Sequence, residues 1–190
     1  MKNKSMIESP ELKLRRTVTS RNPLVRWFTR SIMDKAVKYA NLDFDDVILD
    51  FGCGGNWLKW NYPYNITGYD IEPTYTDISD YRKLKPNKIF ALSVFEHMTP
   101  KEIEETIKSF KKMSSFELIV HLPTDNRMTK IVRILSGKTP KTVGHIIEHG
   151  KIISILDREL IFIRGCTLLH IAIIRHYSFK IKKESERNER

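Results

Sequence analysis

Cysteine is scarce in this 190-residue chain. It has two, Cys53 and Cys166, too few and too far apart for a disulfide scaffold, and no CxxC pair for zinc. Such usage suits a reducing compartment. Long apolar runs are missing as well. None approaches the ~18 residues that span a bilayer, and the opening MKNKSMIESPELKLRR holds no apolar stretch to serve as a signal peptide. The expectation is a cytoplasmic protein, at most peripheral to a membrane. No internal repeat or low-complexity linker divides the chain. Hydrophobic residues make up 41%, a little low for a globular protein but enough for one domain's core at this length.

What the chain has in excess is positive charge, a net +10 unevenly spread. Residues 1–40 hold ten Lys/Arg against three Asp/Glu, residues 41–125 nine against fourteen, and residues 126–190 fourteen against six. An acidic centre therefore lies between two basic ends. Basic flanks attract RNA, an anionic membrane surface or an acidic metabolite, unless they are ordinary solvated surface.

Hydrophobic periodicity divides the chain into a flexible basic arm over 1–20, one folded domain over 21–179 and a charged, disordered tail over 180–190. Residues 22–41 read as an amphipathic helix, with Leu24, Trp27, Phe28, Ile32, Ala36 and Tyr39 at spacings near three and four. Asn22-Pro23 supplies its cap and its N1 proline. Short β-rich runs follow at 46–51, 65–70, 88–95 and 116–122. Between the last two, Thr99, Pro100 and Glu102 form a capping box ahead of a helix whose inner face is Ile103, Ile107 and Phe110. Helices are expected over 126–136 and 147–159. LIFIRG and TLLHIAIIRHYSF then form a hairpin with its turn at Gly165. Alternating strands and helices predict an α/β fold, a mostly parallel sheet covered on both faces, with the hairpin as an antiparallel edge.

The strongest chemical signal is Val47-Ile-Leu-Asp50-Phe-Gly52-Cys53-Gly54-Gly55-Asn56. A buried strand enters a turn whose glycines let backbone approach a ligand, and the helix after it offers free N–H groups. Twenty residues beyond Asp50 stands Asp70 at the end of GYD. An acid there can accept both ribose hydroxyls of a nucleoside.

LDFGCGG, followed by GYDIEP and ALSVFEHM, resembles the class I S-adenosylmethionine-dependent methyltransferases, in style the small-molecule branch that includes the ubiquinone and menaquinone biosynthesis enzymes. The resemblance covers roughly residues 30–175. It implies a Rossmann-like, doubly wound sheet and S-adenosyl-L-methionine as cofactor. Asp50, Gly52, Cys53 and Gly54 would line the methionine end, and Asp70 would hold the ribose. Ile71 would pack on the adenine, with Asp77-Ile78 contacting its amino group and ring; Asp80 could take the Asp77 role. Ser93 and Val94 would lie beneath the sulfonium. Glu96 or His97 would stand near the methyl group, with His121 and Asp125 as secondary candidates, and His145 would touch the acceptor from a segment placed over the site. Two departures stand out: Asn56 replaces the third glycine, and the stretch from Asp70 to Phe90 is short.

The implied acceptor is a small molecule or one linked to lipid or glycan. RNA or protein methylation through the basic ends is the alternative, and a non-catalytic binding subunit is a third reading. His145-Ile-Ile-Glu148-His149 matches a zinc-peptidase spacing, but only 41 residues follow it for a further ligand. No metal is expected. Gly137-Lys138-Thr139 lacks the leading glycine of a phosphate loop, where Val132 stands. Asn61-Tyr-Pro-Tyr64 follows the first strand, so it reads as a turn.

Overall fold

The computed structural model describes residues 22–124 and 146–181. The arm over 1–20, the helix expected over 126–136, Asp125, His145 and residues 182–190 of the tail lie outside them. Six strands form one mixed sheet, β1 (Ile48–Phe51), β2 (Ile66–Tyr69), β3 (Lys88–Leu92), β4 (Phe116–Pro123), β5 (Ile161–Leu168) and β6 (Ala172–Phe179), in the order β2-β1-β3-β4-β6-β5. β1 runs parallel to β2 and β3, and β3 parallel to β4; β6 is antiparallel to β4 and to β5.

All four residues of β1 are buried, as a parallel strand covered on both sides requires. Alternation then sorts the side chains. Leu49, Ile89, Ala91, Leu118 and Val120 join the core beneath α3 (Pro100–Met113) and α4 (His149–Glu159), where Ile103, Ile107, Phe110, Ile152 and Leu156 meet them. Ile48, Phe90 and Ile119 join the opposite core beneath α1 (Pro23–Ala40) and α2 (Trp57–Asn61), against Ile32, Ala36, Ala40 and Leu58. No helix among the described residues is long and apolar enough to cross a membrane.

The caps form where the residue types place them. The Asn22 side chain accepts from the Leu24 N–H at 3.0 Å. The Thr99 hydroxyl accepts from the Glu102 N–H at 3.3 Å, while Glu102 accepts from the Thr99 N–H at 2.7 Å. Thr99→Ala is expected to cost about 1 kcal/mol of stability, seen as a lower urea midpoint at unchanged slope. An unshifted midpoint would show that solvent replaces the cap at no cost.

The hairpin turn is not at Gly165. That residue lies inside β5 opposite Arg175, packed so that a Cβ would stand 2.9 Å from the Ile174 carbonyl oxygen. The chain reverses at Leu169-His170, both left-handed (φ 47° and 56°), with the Ile171 N–H donating to Leu168 O at 2.9 Å. Two successive positive φ values define the turn that suits strand twist; residues without the usual Asn-Gly signature adopt it here, so composition pointed to the wrong place. β3 also ends at Leu92, short of the expected 95, because Ser93 turns left-handed at φ 61°.

The chain leaves β1 for β2 on one side and comes back to β3 on the other. The order of strands reverses there, and in open α/β sheets the crevice at such a point, beyond the carboxyl ends, is where ligands bind.

Candidate active site

The loop leaving β1 is built around two left-handed glycines. Gly52 (φ 74°) could not carry a side chain, since a Cβ would lie 2.4 Å from Val94 Cγ2. Val94 follows β3, so Gly52 lets the two loops of the crevice touch. The Gly52 and Cys53 N–H groups both donate to Tyr69 O, at 2.7 and 3.1 Å, which binds the loop to the end of β2. Gly54 (φ 51°) differs: a Cβ there would meet nothing within 4 Å, so its backbone borders open space.

Asp70 closes the other side. Its Oδ2 accepts from the Gly54 N–H at 2.9 Å and its Oδ1 from the Glu72 N–H at 3.0 Å. The loop after β1 and the acid after β2 therefore adjoin directly. Each carboxylate oxygen has two lone pairs, so both can still accept from a ligand hydroxyl.

Asn56 resolves both departures noted in the sequence. It sits at φ 58°, a conformation that asparagine tolerates better than other non-glycine residues. Its side chain does not enter the crevice. Nδ2 donates to Tyr75 O at 2.8 Å, and Oδ1 packs where a Cβ on Gly68 would stand 2.1 Å away. Cys53 Sγ also reaches Tyr75 O, at 3.3 Å. The shortened stretch after Asp70 is thus laced to the glycine loop by side chains, in place of a helix and strand. The helix that follows the loop is only five residues long and has no side-chain cap.

Asp77 is engaged within the fold. Oδ2 accepts from the Gly68 N–H at 2.8 Å and Oδ1 from Lys59 Nζ at 2.8 Å. Burial opposes its charge, yet the Lys59 and Gly68 hydrogen bonds hold the carboxyl below the usual range. Asp80 caps a single 3₁₀ turn and pairs with Arg82. Asp77, Ile78, Asp80 and Leu84 border a hollow of about 400 Å³. Ile71 is outside it and 92% exposed.

The acids concentrate negative charge at this end of the sheet. Asp50 is fully buried, and its pKa is pushed up to about 7, first by burial and then by the charges of Asp70 and Asp77. The Cys53 thiol rises to about 12, by burial and then by Asp50, Asp70 and Asp77. It stays a thiol.

Beyond β3, Ser93 Oγ lies 2.7 Å from His121 Nδ1, and the Ser93 N–H donates to His121 O at 3.1 Å. His121, two residues before the end of β4, is only 7% exposed, and its buried Nε2 meets no hydrogen-bond partner among the described residues. Burial lowers its pKa to about 4, so the ring is neutral. Phe95, Glu96 and His97 form one 3₁₀ turn. Glu96 is buried and His97 faces solvent. The Ile146 N–H donates to Glu96 O at 2.8 Å, bringing the segment before α4 onto this turn. The crevice therefore gathers Asp50, Gly52, Cys53, Gly54, Asp70, Ser93 and Val94, with Glu96 and His97 on the adjoining turn. Sequence reasoning missed the roles of Asn56, Lys59 and Tyr75; asparagine in the third-glycine place was the one legible signal.

No protein-family model matches the chain, and no curated protein matches it in sequence. The fold is nonetheless that of S-adenosylmethionine-dependent methyltransferases of known structure. A protein of Pyrococcus horikoshii OT3 superposes with a TM-score of 0.67 at 12% identity, over 88% of this chain and 98% of its own. Magnesium protoporphyrin IX methyltransferase from Synechocystis PCC 6803, solved with bound SAH, gives 0.60 at 17% identity, over 87% and 92%. A SAM-dependent methyltransferase from Aquifex aeolicus gives 0.54 at 14%, over 76% and 88%. At such identities the likeness establishes the fold.

Proposed function

We propose that the chain is an S-adenosylmethionine-dependent methyltransferase acting on a small-molecule or lipid- or glycan-linked acceptor. The observation that carries this is the 2.9 Å hydrogen bond from the Gly54 N–H to Asp70 Oδ2, which joins a glycine loop at the switch point to the acid that would hold the ribose. The residues fit the cofactor. Gly54 leaves room, Asp70 retains acceptor capacity, and Ile78 borders a hollow large enough for a ring. Asp50, Asp70 and Asp77 favour a ligand carrying ammonium and sulfonium charge. The wording of GYDIEP and SVFEHM leans toward the small-molecule branch.

When bound, the cofactor supplies a methyl group on a good leaving group, so alignment provides much of the acceleration. Asp70 would hold the ribose, and the Gly52–Gly54 backbone would line the methionine end. Ser93, held by His121, and Val94 would lie beneath the sulfonium. A base is needed only for a hydroxyl, thiol or carbon acid acceptor. His121 is buried and already engaged by Ser93 through Nδ1, so Glu96 or His97 is assigned that role, with Asp125 as a secondary candidate, and His145 is assigned contact with the acceptor.

Calorimetry with S-adenosylmethionine, S-adenosylhomocysteine and NADH tests this reading. Both adenosyl-sulfur compounds should bind and NADH should not, with label from the methyl group appearing in a fraction of cell extract. No binding at millimolar cofactor would overturn the assignment.

A further inference from the structure

We propose that the first two turns of α1, with the turn between β5 and β6, form a docking surface for an anionic lipid membrane at the mouth of the crevice. The docking rests on surface chemistry of its own. Only its purpose, presenting a membrane-borne acceptor, depends on the methyltransferase reading.

The direction of α1 places this surface. Its last residue lies at the amino ends of the strands, where Lys88, the first residue of β3, donates from Nζ to Ala40 O at 2.9 Å. Eighteen helical residues extend roughly 27 Å, and the eight residues of β4 extend roughly 26 Å. The helix therefore spans the sheet and brings Pro23–Trp27 to the carboxyl edge, where the glycine loop, Asp70 and Ser93 lie. The core agrees: the α1 cluster includes Ala172, which pairs with Pro123 at the carboxyl end of β4. The β5–β6 turn is held at the same edge, since the Thr124 N–H donates to Ile171 O at 2.9 Å.

Large apolar side chains stand in solvent there. Leu24 is 69% exposed, Trp27 62% and Leu169 62%. Leu24 and Trp27 are three apart and share a helix side, while Val25, Ile32 and Ala36 face the core. Arg26 and Arg30, four apart, are also exposed. An indole flanked by aliphatic side chains and guanidinium groups is what a helix needs to lie at a membrane interface. The arginines match headgroup phosphate and the apolar side chains enter the acyl boundary. RNA would engage the arginines but leave Leu24 and Leu169 without a partner, so lipid is favoured.

The test is flotation of the full chain with vesicles of equimolar phosphatidylcholine and phosphatidylglycerol, against phosphatidylcholine alone. The chain should float with the anionic vesicles only, and added salt should weaken this. A Leu24→Glu/Trp27→Glu variant and an Arg26→Glu/Arg30→Glu variant should each bind at least about tenfold more weakly. Both sets of positions are exposed, so the melting temperature and calorimetric binding of S-adenosylmethionine should stay as in the wild type. Anionic binding that neither variant weakens overturns the proposal. So does binding to an RNA oligonucleotide without vesicle binding, or a variant effect confined to self-association. Loss of cofactor binding in the wild type would sink the proposed activity and leave the docking intact; loss of vesicle binding alone would do the reverse.

Discussion

Asp70→Ala is expected to lower affinity for S-adenosylmethionine at least ~100-fold, because two charge-assisted hydrogen bonds to ribose are each worth roughly 1.5–3 kcal/mol and a factor of ten is about 1.4 kcal/mol. The carboxylate already accepts from Gly54 and Glu72 N–H groups, and the ligand would use the remaining lone pairs. Asp70→Asn should also bind poorly. One of its two terminal atoms becomes a donor and must face either the Gly54 or the Glu72 N–H, so the amide disturbs the junction it replaces. Calorimetry reads the affinity, and a thermal melt separates this from loss of fold. A variant that melts lower but binds as tightly as wild type would show that Asp70 only ties the two loops together.

Asp50→Asn is expected to stabilise the protein by as much as roughly 4 kcal/mol above neutral pH while weakening cofactor binding. The folded-state pKa of about 7, against an ordinary 3.8, sets the sign. Across that window the folded chain keeps a proton on Asp50 that the unfolded chain has lost. Raising the pH therefore removes stability from the wild type until the buried carboxyl ionises near 7, after which the effect is constant. Asparagine has no such linkage, so the two stabilities should differ little near pH 4 and diverge as pH rises. His121 acts in the opposite sense. With its folded pKa lowered from 6.5 to about 4, the unfolded chain binds the extra proton, and stability falls as pH drops through that range. The wild type should show a shallow profile because the two slopes oppose each other, and the variant a steeper one. Urea titrations at several pH values measure this. Parallel profiles would mean that burial and the charges of Asp70 and Asp77 do not hold a proton on Asp50 across that window. The cost fits a site that holds unfavourable charge ready for a cation, since binding residues are commonly kept at the expense of stability.

Elements with a local cause were legible in the residues. The Asn22 and Thr99 caps, the inner face Ile103-Ile107-Phe110 and the buried run at β1 follow from spacing and side-chain chemistry within one turn or strand, and all are present. The hairpin turn was misplaced because Leu169-His170 carries no turn signature, and because Gly165 was needed for close packing inside a strand. The glycine loop and Asp70 could be named as partners from their separation in sequence; that the two touch could not.

The chain alone thus determined where β1 enters its glycine loop, which faces are apolar and which acids stand at the ends of β1 and β2, because those depend on neighbours a few residues away. Only the tertiary structure decided that Asn56 turns from the crevice toward Tyr75, that Asp77 is engaged by Lys59 and Gly68, and that burial raises Asp50 and lowers His121. Each of those depends on which distant segments share the carboxyl edge of one sheet, and on how much water and opposing charge they leave around a polar group.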